Sequence, residues 1–294
     1  MTSEIAGTPR AVIVVSSHVA RGSVGNRAAV FALETLGYPV WAVPTVILPW
    51  HPGHGRATRI VPDPEQFAAL MKDLENAPWL GEVAGVLSGY LGDAGQAAAV
   101  ASLVKAVRAK NPSALYVCDP VMGDLGGLYV PEALAVALRD MLLPLADIAT
   151  PNRYELEWIV GEKLADQRAV MEAAMRAGPP NMLVTSAPAM MAGSTGNLLV
   201  TPTAALLAEH RTVPRPPNGL GDLTGAVFLA RLLSGQTMEA ALQSTTASVF
   251  EILARTAKRG GDELQLATDA QSLSHPMAMV HLSRLLRPER NKRA

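Results

Sequence analysis

Short, continuously apolar runs alternate along this chain with longer stretches in which apolar residues recur every three or four positions. The first kind suits strands buried on both faces, the second amphipathic helices. Residues 11–16 (AVIVVS) predict the first strand, 26–36 a helix closed by Gly37, and 40–46 a second strand. Asp63-Pro64-Glu65-Gln66 opens the next helix. There the aspartate caps, the proline fits the first turn, and Gln66 stands where a capping box needs it. Strands follow at 83–87, 114–118 and 148–150, with a helix over 94–110 that Asn111-Pro112 stops. Late strands at 182–185, 196–201 and 205–213 and helices over 223–233 and 238–258 complete the pattern.

This alternation predicts a three-layer α/β/α fold: a mostly parallel sheet, helices on both faces, and an antiparallel edge where the late strands lack intervening helices. No repeat or long linker divides the chain, so residues 1–294 read as one domain with a short extension at 1–9 and a tail at 268–294. The Pro/Gly-rich stretch 49–64 reads as a loop or flap. In open α/β sheets, ligands sit beyond the carboxyl ends of the strands. That rule selects residues 16–25, 88–92, 119–127, 150–155, 185–186 and 219–222.

Composition narrows the partners. Lys and Arg number 25 against 26 Asp and Glu, so net charge gives no reason to expect nucleic acid or an anionic membrane. The single cysteine, Cys118, excludes an internal disulfide and a thiolate cluster, and points to a reducing compartment such as the cytoplasm. Residues 1–10 lack the pattern of a signal peptide. The greasiest stretch, 133–149, contains Arg139, Asp140 and Asp147 and is too short and too charged to span a bilayer. The basic end, 284–293, reads as a solvated tail.

Common nucleotide and hydrolase motifs are absent: there is no G-x-x-x-x-G-K-[ST], no G-x-G-x-x-G after the first strand, no G-x-S-x-G and no H-E-x-x-H. What remains is Gly219-Leu220-Gly221-Asp222 at the start of a helix. Two glycines let the backbone approach a ligand, and a helix start offers free amides and positive potential for a phosphate. Asp222 would then stand where it could take a proton from an attacking hydroxyl. The same four residues also fit a capping aspartate after a glycine turn. Asp119 ends a strand, and Asn152-Arg153-Tyr154-Glu155 follows another, with Asn152 and Glu155 on one helical face. Such oxygen donors suit magnesium held through water beside phosphates. An Asx turn before Pro120 and a first-turn helix acid are the plainer readings of Asp119 and Glu155.

Taken together, several blocks resemble pyridoxal kinase, a branch of the ribokinase-like superfamily. They are Ser17-His18-Val19 with Gly22, Gly25 and Asn26; Leu87-Ser88-Gly89-Tyr90-Leu91-Gly92; and Cys118-Asp119-Pro120-Val121-Met122-Gly123-Asp124. Ala146-Asp147-Ile148 with Thr150-Pro151-Asn152 and Glu155, Thr185-Ser186, Gly219-x-Gly221-Asp222 and Asp262-Glu263-Leu264-Gln265 complete the set. The resemblance implies a ribokinase-like fold and ATP-dependent phosphorylation of the 5′-hydroxymethyl group of pyridoxal, with pyridoxine and pyridoxamine as further candidates. It implies Asp222 as catalytic base, Gly219, Leu220 and Gly221 as anion hole, and Ser17 with His51, Pro52 and Gly53 on the substrate. Asp119, Thr150, Glu155, Thr185, Ser186 and Val213 would serve ATP, Asp119 and Glu155 would work with Mg2+, and Tyr129 would sit in a lid. A homodimer is suggested, and a monovalent cation requirement stays open. The alternatives are a hydroxymethylpyrimidine kinase of thiamine synthesis and a non-catalytic B6- or nucleotide-binding homologue; the retained Asp119, Glu155 and Asp222 argue against the latter.

The chain departs from the family in its flap, where Asn-His-Thr-x-Tyr-Gly is usual and Trp50-His51-Pro52-Gly53-His54-Gly55 stands instead. Proline offers no donor, so recognition there must differ. We therefore expect His51 or His54 to supply the polar contact. Leu220 replaces the usual Thr or Val, and Pro214, Pro216 and Pro217 fill a shortened segment before Gly219. His51 and His54 lack a third neighbour for a metal site. Cys118, Met190, Met191 and Trp79 read as packing residues.

Overall fold

The computed structural model describes residues 11–288. The expectations for 1–9 and for the last basic residues, 289–294, lie outside them. The strands are β1 (Ala11–Val19), β2 (Val40–Leu48), β3 (Val83–Ser88), β4 (Leu115–Cys118), β5 (Gly123–Asp124), β6 (Gly127–Leu128), β7 (Ile148–Ala149), β8 (Asn181–Ala187), β9 (Ser194–Val200), β10 (Ala205–Arg211) and β11 (His281–Leu285). Nine of them form one sheet in the order β11-β10-β9-β8-β7-β4-β3-β1-β2. Pairing is parallel from β2 through to β8 and antiparallel from β8 to β11. β5 and β6 make a separate hairpin.

The period-two alternation of β1 divides the core. Val12 and Val14 face a layer built on α1 (Asn26–Thr35), while Ile13 and Val15 face the other side. That other side is covered by α2 (Pro64–Glu75), α3 (Gln96–Lys110), α4 (Glu132–Ala137), α5 (Arg153–Val160) and α6 (Gln167–Arg176), through residues such as Phe67, Leu103, Leu134, Leu156 and Val170. The α1 layer is completed by α7 (Leu220–Leu233) and α8 (Met238–Lys258), through Phe228 and Ile252. A short α9 (Gln271–Ser274) follows. The three-layer expectation holds.

Local signals explain the boundaries. Asp63 caps α2 by accepting from the Glu65 and Gln66 amides, with Pro64 in the first turn. Thr237 caps α8 in the same way through the Ala240 amide. β1 runs three residues beyond its predicted end, so Ser17, His18 and Val19 belong to the strand. α7 begins at Leu220, three residues earlier than predicted.

Two expectations need correction. Residues 281–285, placed in the tail, are the edge strand β11, and Arg284 pairs with Glu239 at 2.9 Å. Trp79, Met190 and Met191 are exposed rather than packed, whereas Cys118 is fully buried. Among the described residues, no helix is long and apolar enough to cross a membrane.

Candidate active site

Three carboxylates converge where the parallel strands end. Asp119 directly follows β4, and its amide is fixed by the Ser88 carbonyl of β3 at 2.8 Å. The Val121 amide goes to the backbone carbonyl of Asp119 at 2.9 Å, so the side chain is not consumed by an Asx turn. Asp119 is buried, and Thr150 faces it from the loop after β7. Burial, then the neighbouring charges of Glu155 and Asp222, push the Asp119 carboxyl well above the usual range; the Thr150 hydroxyl opposes this.

Glu155 occupies the first turn of α5. It is the capping acid of the plainer reading, but it does more. Asn152 and Glu155 form a reciprocal capping box, and Glu155 Oε1 also accepts the Met122 amide at 3.0 Å. Asn152 Nδ2 in turn donates to the Gly123 carbonyl at 2.8 Å. The acid thus ties α5 to the segment that leads into the β5–β6 hairpin. Burial pushes its carboxyl up to about 8 against the pull of these amides. Tyr129, half exposed just beyond β6, overhangs the same charges: burial first, then Glu155, Asp119 and Asp222, raise its phenol.

Asp222 comes from the other side, in the first turn of α7. The cap of that helix is Gly219, not Asp222, which settles the capping alternative. Gly219 has φ of 93°, and a Cβ there would stand 2.0 Å from the Ser23 carbonyl. Only glycine allows so close an approach to the loop after β1. A Cβ on Gly221 would lie 3.7 Å from Asp119 Oδ2, which places this turn beside Asp119. Desolvation raises the Asp222 carboxyl to about 6, opposed by the nearby Gly25 amide and its own amide. A cavity of about 10 Å³, large enough for one water, lies against Ser16, Gly89, Asp119 and Asp222.

Of the substrate-side residues, Ser17 is buried against Gly25, where a Cβ would come within 2.3 Å of the Ser17 carbonyl and hydroxyl oxygens. The flap leaves the sheet after β2 and returns through an antiparallel pair, Ile47 with Ile60. His51, Pro52 and Gly53 form its turn: His51 Nδ1 accepts the Gly53 amide at 3.0 Å, and Pro52 is the first residue of the turn. His54 is occupied elsewhere, with its Nε2 2.7 Å from Glu263 Oε1. On the nucleotide side, the Thr185 amide donates to the Pro151 carbonyl at 2.9 Å, joining β8 to the Thr150 loop. Ser186 is exposed with φ of 51°, and Val213 lies half-buried in the loop after β10. The structure therefore gathers Asp119, Thr150, Glu155, Gly221, Asp222 and Tyr129, sets Thr185 and Ser186 on the neighbouring strand end, and leaves Val213 on a separate loop.

Three residues without an assigned role belong to this region. Ser16 Oγ and Asn26 Oδ1 are buried without a hydrogen-bond partner, and Asn26 Nδ2 donates to the Ser16 carbonyl at 2.9 Å. Glu263 contacts His54 of the flap. Asn26 and Glu263 stand within motif blocks of the sequence; Ser16, in a strand pattern, carries no such signal.

The acids fit a divalent cation. Two buried carboxylates beside a third leave negative charge that nearby amides only partly offset, and both Glu155 oxygens are already hydrogen-bonded, so contact through water suits them. Among the described residues, no three His, Cys, Asp or Glu side chains form a ready metal cage.

Comparison with known proteins shows the family. The family model described as phosphomethylpyrimidine kinase matches residues 65–266. Pyridoxal kinase PdxY of Rubrobacter xylanophilus is 39% identical over 272 residues, 90% of this chain and 94% of that one. The PdxY of Deinococcus radiodurans is 37% identical over 292 residues, 94% and 97% of the two chains. Among solved structures, pyridoxal kinase from Leishmania donovani in complex with ADP and pyridoxamine superposes with a TM-score of 0.88 at 29% identity, covering 94% of this chain and all of that one. With more than a third of positions identical over nine-tenths of its length, the chain belongs to the pyridoxal kinase branch of the phosphomethylpyrimidine kinase family.

Proposed function

We propose that this protein transfers the γ-phosphoryl group of ATP to the 5′-hydroxymethyl oxygen of pyridoxal, giving pyridoxal 5′-phosphate and ADP, with pyridoxine and pyridoxamine as further acceptors. The observation that carries this is Asp222, held in the first turn of a glycine-started helix facing Asp119 and Glu155. In this reading the substrate oxygen bonds to the γ-phosphorus, the bond to the β,γ-bridging oxygen breaks, and Asp222 takes the hydroxyl proton. The amides from Gly219 to Asp222 receive the charge that grows on the transferred group. Ser17 and the His51–Gly53 turn bound the vitamin, and Tyr129 covers the acids from the hairpin side. Thr150, Thr185, Ser186 and Val213 are assigned to the nucleotide.

Mg2+ is the fitting metal: when bound, it would neutralise phosphate charge, with Asp119 and Glu155 holding it through water. The chain works as a homodimer in the cytoplasm in this reading, without nucleic-acid or membrane partners. Hydroxymethylpyrimidine phosphorylation is the second reading, favoured by the family model matched over residues 65–266. A coupled ADP-release assay with purified protein, ATP and Mg2+ separates them. Turnover with pyridoxal well above that with hydroxymethylpyrimidine is expected. The reverse preference would move the substrate, and no turnover with either would remove the kinase assignment.

A further inference from the structure

One carboxylate joins the flap to the loop after β1, and phosphoryl transfer does not use it. Glu263 follows α8 in Asp262-Glu263-Leu264-Gln265, with 12% of its side chain exposed. Its Oε1 takes the Nε2–H of His54 at 2.7 Å, and its Oε2 takes the Ser23 amide at 3.2 Å. Around it, the Ser23 hydroxyl donates to the Leu264 carbonyl at 2.8 Å, and Arg21 pairs with Asp262 at 2.6 Å. Gly22 makes room for this: a Cβ there would stand 2.6 Å from Glu263 Oε1.

We propose that Glu263 is a positioning residue that latches the substrate flap, through His54, onto the loop that supports the catalytic base. The two ends of the latch matter for different reasons. The loop end, Gly22 to Gly25, abuts Gly219 through the Ser23 carbonyl and reaches Asp222 through the Gly25 amide. At its tip the flap is otherwise held by a local bond, Trp50 Nε1 to the Gly55 carbonyl at 3.1 Å; its returning end is held by the Ile47–Ile60 pair and by Arg59, which donates to the Gly92 carbonyl at 2.7 Å. Residues 52–60 are all exposed, so burial does little to hold the flap shut. A flap released from Glu263 admits water and loses its hold on the vitamin, while the nucleotide side stays intact. Glu263 is thus a determinant of vitamin affinity that need not touch the vitamin.

The inference rests on the pyridoxal kinase reading, so the experiment includes a measurement that does not depend on it. Glu263→Ala, Glu263→Gln, His54→Ala and the double variant Glu263→Ala/His54→Ala are assayed for KM of pyridoxal and of ATP. In parallel, trypsin cleavage after the exposed flap residue Arg56 is followed under native conditions. Both single alanine variants should raise the pyridoxal KM about tenfold, leave the ATP KM within about twofold, and speed cleavage at Arg56 about tenfold. The double variant should be no worse than Glu263→Ala, because the bond lost in His54→Ala is already among those that Glu263→Ala removes. Glu263→Gln, which keeps an acceptor for His54, should recover part of the loss. If Glu263→Ala does not fold, Glu263→Gln and His54→Ala carry the same comparison. Unchanged pyridoxal KM and unchanged cleavage, or fully additive effects in the double variant, would overturn the latch. Faster cleavage in the alanine variants, with a parent protein that phosphorylates no vitamin, would uphold the latch and remove the kinase reading.

Discussion

Asn152 and Glu155 cap each other: the Glu155 amide donates to Asn152 Oδ1 at 3.0 Å, and the Asn152 amide donates to Glu155 Oε2 at 2.8 Å. This pair fixes a buried carboxylate in the first turn of α5, just beyond β7. Helix capping and the proposed magnesium role therefore fall on the same side chain, and burying it carries an electrostatic cost.

That cost has a testable sign. Burial puts the Glu155 carboxyl near 8, above its ordinary value of 4.5. Between those values the folded state holds more protons than the unfolded one, so this group's contribution to stability falls as pH rises from about 4.5 to 8. Glu155→Gln should flatten the decline of the melting temperature over that window, while its NH2 group, replacing one of the two oxygens that accept backbone amides, lowers stability at every pH. The same variant, like Asp119→Asn, should raise the Mg2+ concentration for half-maximal rate by about tenfold or more. Thermal melts from pH 5 to 8.5 and magnesium titrations of the rate check the two halves separately.

Asp222→Ala should cut kcat by about 10²–10⁴ with ATP binding largely kept, the usual scale for a positioned base. The parent enzyme should lose kcat/KM as pH falls through about 6, because desolvation raises the Asp222 carboxyl to that value and the base must be unprotonated. A flat profile down to pH 5, or an alanine variant with near-normal turnover, would remove Asp222 from the proton transfer.

The two glycines of the loop should fail differently. Gly219 has φ of 93°, and an added Cβ would meet a backbone carbonyl at 2.0 Å, which no rotamer relieves. Gly219→Ala should lose about 2–5 kcal/mol of stability, read from urea midpoints. Gly221 is in the helix, and its nearest new neighbour, Asp119 Oδ2, would be 3.7 Å away. Gly221→Ala should fold at least as stably, since alanine favours the helix by about 1 kcal/mol. Its methyl group stands beside the acids, so kcat should fall about 10–100-fold. A Gly221→Ala enzyme with parental kcat would mean the turn does not bear the phosphate.

Residue periodicity made the sheet and its main helices legible, because β1 is apolar on both faces and α8 keeps its pattern from Met238 to Lys258. Strand ends then located Asp119 and Glu155. The short elements escaped: β5 and β6 have two residues each, and β11 has only partly buried or exposed side chains, so neither offers a period to read. α4, with six residues, was hidden for the same reason, whereas α6 has ten, as many as α1, and its buried Val170, Met171 and Ala174 follow a helical spacing that was there to read. The contacts of His54 and Glu263 were beyond reach because 209 positions separate them. Both were visible as motif residues, yet only folding shows that they meet.

That meeting decides between the two flap histidines, which sequence leaves equivalent. His54 spends its Nε2 on Glu263. His51 uses Nδ1 to accept the Gly53 amide, so its proton resides on Nε2 in the neutral ring. Burial lowers the His51 pKa, and the nearby Glu263 only partly offsets this, so the ring is neutral near pH 7 with one N–H to give. Pro52 has no side-chain donor, so His51 Nε2–H is the contact we propose between the flap and the vitamin ring or its 3-hydroxyl. His51→Ala should weaken apparent pyridoxal affinity by about 1–3 kcal/mol, the range for a buried polar contact left unmade, with ATP affinity unaffected. Alanine also removes the cap of the Pro52–His54 turn, so a second variant is needed. Asparagine at this position can accept the Gly53 amide as an Asx turn does, keeping the cap while deleting the ring donor. His51→Asn should therefore match His51→Ala in its pyridoxal KM. If it instead behaves like the parent, His51 only shapes the turn, and the vitamin is held from the Ser17 side.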